Sequence, residues 1–123
     1  MIYMVGKMPE NYEICKGNDV IVRDGAELKN PLISNEGTCI VSSGGIVSGA
    51  TVSRFATLVV SSGGTATDVE VTSNGRMRVE SGGALKGCSV SHGGMMYIRR
   101  GGKFDFIRTL DSDSIIWKEI GEQ

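Results

Sequence analysis

The chain has 123 residues, with 13 Lys and Arg against 14 Asp and Glu for a formal net charge of −1, a length that suits one domain. Eighteen Gly, two Pro and 40% hydrophobic residues describe a chain rich in turns yet able to form a core. Gly without a third-residue period excludes collagen, the apolar share excludes disorder, and no run approaches the roughly 20 apolar residues of a spanning helix.

The N-terminal run Met1-Ile2-Tyr3-Met4-Val5-Gly6-Lys7 lacks a basic region followed by an apolar stretch, so it does not read as a secretory signal. That leaves a cytoplasmic or phage-associated chain, export by another route, or a piece of a longer precursor placed at the cell surface or outside the cell. Residues 3–36 read as degenerate coils of a repeat that becomes plain over residues 37–102, where Ser43-Gly44-Gly45, Ser62-Gly63-Gly64, Ser81-Gly82-Gly83 and the altered Arg100-Gly101-Gly102 recur every 19 residues. A unit this short cannot bury an apolar face alone, so the period predicts an all-β solenoid, a parallel β-helix of about six coils forming a single domain over 1–123.

Within each coil the first predicted strand carries two apolar columns. These are Val20, Cys39, Leu58, Met77, Met96, Ile115 and, two residues on, Val22, Val41, Val60, Val79, Ile98, Trp117. A spacing of two within a strand sends both to one side. Gly6, Gly25, Gly44, Gly63, Gly82 and Gly101 then mark a corner that needs a positive φ or close backbone packing. A second strand follows, with inward positions at Leu28, Val47, Ala66, Leu85, Phe104, then Tyr12, Pro31, Ala50, Val69, Cys88, Ile107, then Ile14, Ile33, Val52, Val71, Val90, Thr109. Its closing turn reads Asn35-Glu36-Gly37, Arg54-Phe55-Ala56, Ser73-Asn74-Gly75 and His92-Gly93-Gly94, in which Phe55-Ala56 departs from turn chemistry. Residues 103–120 form the last degenerate coil. Coils stacked at about 4.8 Å make a rod on the order of 29 Å long. A leucine-rich repeat would need a Leu-x-x-Leu-x-Leu pattern, which is absent.

The runs Ile40-Val41-Ser42-Ser43-Gly44-Gly45 and Val59-Val60-Ser61-Ser62-Gly63-Gly64-Thr65-Ala66, continued by Val71-Thr72-Ser73-Asn74-Gly75, resemble the AIDA-type repeats of bacterial autotransporter adhesin passengers. The resemblance covers residues 37–102 and is positional outside them. It implies a right-handed parallel β-helix on a bacterial surface, acting in adhesion or autoaggregation, with sugars on repeat Ser or Thr residues in some members. The chain departs from the family in showing no signal and in being too short to include the membrane β-barrel.

Chemistry is not expected: no catalytic residue, metal site or cofactor is predicted. Asp68 and Glu70 share one side of a strand, but Gly87 and Ser89 follow them in the next coil, so no paired carboxylates are built up for glycoside cleavage. His92, the one histidine, falls in a turn and reads as a solvated side chain. Cys39 and Cys88 lie three coils apart, too far for a bridge, and Cys15 aligns with Ser34, Ser53, Thr72 and Ser91 at a predicted outward position.

Function is therefore expected on the surface. Residues 76–108 hold seven Lys or Arg against two Asp or Glu, which predicts a basic band from Arg76, Arg78, Lys86, Arg99, Arg100, Lys103 and Arg108, alternatively a plain solvated face. Ile21, Ile40, Val59 and Ile116, with Arg78 and Tyr97 between, should point away from the core, where adjacent apolar residues make a patch. The candidate interaction surface is Ile21, Ile40, Val59, Arg76, Arg78, Tyr97, Arg99, Arg100, Lys103 and Trp117. The expected role is a non-catalytic structural or adhesive module that contacts a cell surface or a glycan, or associates head to tail through its ends into filaments. The alternatives are a phage or bacterial glycan-binding or glycan-processing β-helix and, third, a polyanion binder with steep salt dependence. Nucleic acid is not the expected partner.

Overall fold

The computed structural model describes residues 2–4, 7–10, 13–14, 20–23, 25–91, 93–99, 101–109 and 115–118. In chain order the strands are β1 (Ile2–Met4), β2 (Lys7–Glu10), β3 (Glu13–Ile14), β4 (Val20–Val22), β5 (Glu27–Lys29), β6 (Leu32–Ile33), β7 (Thr38–Val41) and β8 (Ile46–Ser48). They continue as β9 (Thr51–Val52), β10 (Thr57–Val60), β11 (Thr65–Val71), β12 (Arg76–Val79), β13 (Ala84–Val90), β14 (Met95–Ile98), β15 (Lys103–Thr109) and β16 (Ile115–Lys118). Among the described residues the first sheet has seven strands in the order β1-β4-β7-β10-β12-β14-β16, and the second has nine. Every pairing among the described strands is parallel, so each is bonded to its counterpart one coil away, as a β-solenoid requires.

The predicted columns form the core. Val20, Cys39, Leu58, Met77 and Met96 are buried on one wall beside Val22, Val41, Val60, Val79 and Ile98, and Leu28, Val47, Ala66 and Leu85 are buried on the other. Ile14, Ile33, Val52, Val71 and Val90 complete that second wall. These are mostly β-branched or unbranched apolar residues at alternate positions, the pattern a pleated, one-side-buried strand favours. Phe104, Ile107 and Thr109 occupy the expected register opposite Leu85, Cys88 and Val90.

Four features differ from the expectation. First, each coil bends once more than two strands allow. Asn30, Gly49, Asp68 and Gly87 all have left-handed backbone, with φ of 52°, 69°, 53° and 80°. The bend separates β5 from β6 and β8 from β9, and persists inside β11 and β13. It also explains why inward positions step by three from Leu28 to Pro31 instead of by two: one residue is used to turn. Its sequence signal is a column of residue types that tolerate φ > 0.

Second, the 19-residue spacing holds in the first sheet for about four turns, not six. Ile2 pairs with Val20, a step of 18, so Tyr3 lies opposite Ile21 rather than Val22. At the other end Met95 pairs with Ile115, a step of 20. Third, that extra residue moves Ile116 opposite Met96 and Trp117 opposite Tyr97, so the expected inward columns do not continue through Ile115 and Trp117. A slip of one residue exchanges the two faces of a strand.

Fourth, the column expected to point outward at Ser34, Ser53 and Ser91 is buried. These serines precede the closing corner and turn inward there, and Ser91 Oγ donates to Thr72 Oγ1 at 3.4 Å. No buried side-chain nitrogen or oxygen among the described residues lacks a partner. Cys15, Gly6, Tyr12, His92, Arg100 and Ile120 lie outside the described residues.

Candidate functional site: the outer face of the first sheet

The face is built by register. Ile21, Ile40, Val59, Arg78 and Tyr97 are paired in sequence across β4, β7, β10, β12 and β14, and Trp117 of β16 takes the next register position. Ile21, Ile40, Val59 and Tyr97 are half-buried and Arg78 is exposed. A second outward column, two residues earlier on each strand, reads Thr38, Thr57, Arg76, Met95. The face thus passes from apolar to basic and aromatic along the solenoid axis.

At the basic end the side chains engage one another. The Arg78 guanidinium lies over the Tyr97 ring, 5.8 Å from its centroid, within the range of a cation–π contact. Arg78 Nη2 is 3.1 Å from Glu80 Oε2, and Arg99 Nη1 is 3.4 Å from Glu80 Oε1. Exposed pairs of this kind contribute about 1 kcal/mol or less to stability, so the main consequence is that Arg78 is held in place. Between the two outward columns a groove of about 420 Å³ is lined by Thr57, Arg76, Arg78, Met95 and Tyr97 over Met77 and Met96. No carboxylate lines it among the described residues, and Arg76 makes no ion pair there.

The other candidates lie elsewhere. Arg99 stands past the end of β14 at the corner, and Lys103 opens β15 on the second sheet. Lys86 is on the second sheet as well, so the residues expected to form one basic band divide between faces. The solenoid turns residues that are close in sequence onto different sides, which a charge count along the chain does not register. Thr57, Glu80 and Met95 were not among the sequence candidates. The period-19 alignment carried the signal of Thr57 and Met95, which share one column with Arg76, whereas Glu80 aligns with Ser61 and Arg99.

Neither cysteine of the described core is a reactive group. Cys39 and Cys88 are free and buried, and burial pushes both thiols up to about 12. A thiol held neutral in an apolar wall behaves as a small hydrophobe. The corner serines differ: Ser43, Ser62 and Ser81 are exposed in a row along one edge.

No protein-family model matches the chain, and no curated protein matches it. Among solved structures it is similar to the crystal structure of the TibC-catalyzed hyper-glycosylated TibA fragment, at 22% identity and a TM-score of 0.69. The match covers 95% of this chain and 48% of the fragment, so the chain spans about half the fragment's length. The chain therefore shares a parallel β-solenoid fold with the TibA fragment, the fold that the resemblance of its Ser-Gly-Gly repeat implies.

Proposed function

We propose that the chain is a non-catalytic adhesive module displayed at a bacterial surface, acting through the outer face of its first sheet. The observation that carries this reading is the register-matched row Ile21, Ile40, Val59, Arg78, Tyr97, an apolar-to-basic stripe on a scaffold whose interior is filled by packing. Adjacent apolar side chains in a surface row suit contact with another surface better than isolated ones do. The resemblance of the Ser-Gly-Gly repeat to adhesin passengers, together with the likeness in fold to the TibA fragment, supports the same reading.

Self-association is the second mode. β1 and β16 stand last in the order of the first sheet, and a strand from another copy could extend that parallel register, giving a heterologous contact that does not close.

The test is retention of domain-coated beads on epithelial cells, read alongside sedimentation velocity. Ile40→Thr with Val59→Thr keeps β-branched strand formers and removes the apolar stripe. Retention should fall to the level of uncoated beads while the melting temperature stays within a few degrees. Undiminished retention of the double variant would sink the outer-face reading, and monomers alone throughout the micromolar range would remove self-association.

A further inference from the structure

We infer that the groove between β10, β12 and β14 is a subsite for an acidic sugar, a carboxylate-bearing pyranose unit of a surface glycan. The inference rests on the adhesive reading above and names the ligand class of that same face. Arg76 and Arg78 are two residues apart on β12 and project from the same side, about 7 Å from each other along the strand. Arg78 is fixed on two sides, by Glu80 at 3.1 Å and by the Tyr97 ring, whereas Arg76 is exposed and makes no ion pair among the described residues. One guanidinium is thus oriented before a ligand arrives and the other is available to close on it. Guanidinium groups match the planar fork of a carboxylate and bind it with charge-assisted hydrogen bonds.

The rest of the lining selects more than an anion. Met95 is 42% exposed, a long apolar side chain beside the Tyr97 ring, and together they offer a surface for the C–H face of a sugar ring. Thr57 supplies a hydroxyl on the opposite strand. The volume of about 420 Å³ falls in the roughly 300–1,000 Å³ range of small-ligand sites. With no lining carboxylate among the described residues, the groove complements negative charge. The backbone of these parallel strands is already bonded to its neighbours, so recognition falls to these side chains.

The experiment is calorimetric titration of the full chain with a uronate-containing disaccharide, with the same disaccharide after reduction of its carboxyl to an alcohol, and with inorganic sulfate. The acidic disaccharide should bind, the reduced one about tenfold or more weakly, and Arg76→Ala or Arg78→Ala should each weaken the acidic one by about tenfold, as loss of a charge-assisted hydrogen bond implies. Arg78→Lys should restore only part of the loss, because an ammonium neither forks nor stacks as a guanidinium does. Binding should also weaken as sodium chloride is raised.

Equal affinity for the two disaccharides overturns the proposal, as does binding that ignores both alanine variants. So does absence of binding up to about 10 mM, a ceiling weaker than useful recognition. Sulfate bound as tightly as the disaccharide overturns the sugar assignment, and Arg76→Ala acting only on self-association would make the occupant a second copy. Beads that still adhere to cells enzymatically stripped of uronic acids separate the two ideas: adhesion then stands and this ligand assignment falls.

Discussion

Arg54 and Phe55 hold left-handed backbone, with φ of 51° and 64°, at the corner where other coils place Asn35-Glu36 or Ser73-Asn74. A residue with a Cβ is strained there by roughly 1–2 kcal/mol, least for Asn and Asp, while Gly escapes the strain. Phe55 is 55% exposed, so little burial offsets that strain. Phe55→Asn should therefore raise stability by about 1 kcal/mol, seen as a higher urea midpoint at constant slope. An unchanged or lower midpoint would show that Phe55 makes a contact worth more than the strain. The unusual Phe55-Ala56 pair was visible in the sequence; that the backbone keeps its turn anyway was not, because the coils on either side impose it through Glu36 N–H to Arg54 O and Arg54 N–H to Ser73 O, at 3.1 and 2.9 Å. The buried thiols give a pH signature. Cys39 and Cys88 have pKa values raised from 9.0 to about 12, so the folded state keeps protons that the unfolded state releases. Their contribution is fully present below pH 9 and is lost as pH rises through about 12. Stability should drop over that window, and less so in a Cys39→Val, Cys88→Ala variant. An identical alkaline profile in the two proteins would contradict the assignment.

At the scale of the element, Ser-Gly-Gly is a corner with a separate demand at each place. The first Gly has left-handed backbone, for example Gly63 at φ 83°, which turns its amide toward the next coil: Gly44 N–H donates to Gly63 O at 3.0 Å and Gly63 N–H to Gly82 O at 3.1 Å. The Ser42 N–H, just past β7, donates the other way, to Val22 O of the coil before at 2.9 Å. The second Gly excludes a side chain for a different reason, since a Cβ on Gly83 would lie 2.5 Å from Val60 O of the coil before. The Ser packs across coils too: Ser62 Oγ sits 2.6 Å from where a Cβ on Gly82 would be, so Ser and Gly complement each other between neighbours. The bend at Asn30, Gly49, Asp68 and Gly87 follows the same logic, with Asp68 Oδ1 lying 3.0 Å from the corresponding position on Gly87. Apolar alternation made the strands legible. The bend was hidden because its four residues share no single identity, only a tolerance for positive φ.

For the whole molecule, stability is shared along a stack in which each coil contacts its neighbours. A charge placed in the middle should propagate. Val60 is fully buried and lies between Val41 and Val79, so Val60→Asp puts an unpaired carboxylate in the apolar wall at a cost of several kcal/mol, comparable to the total stability of a small domain. Its cooperative thermal transition should be lost at neutral pH, and a melting temperature equal to the parent's would show that the column assignment is wrong. The amino-acid sequence by itself determined the solenoid class, the inward columns and the Gly corners, because a fixed period repeats the same local demands at the same place in every coil. The tertiary structure alone decided where the period slips, at steps of 18 and 20, since register there is set by which strand the chain end pairs with. It also decided which surface residues meet. Arg76, Arg78 and Tyr97 share a groove while Lys86 and Lys103 sit on another face, because winding the chain converts closeness in sequence into direction around an axis.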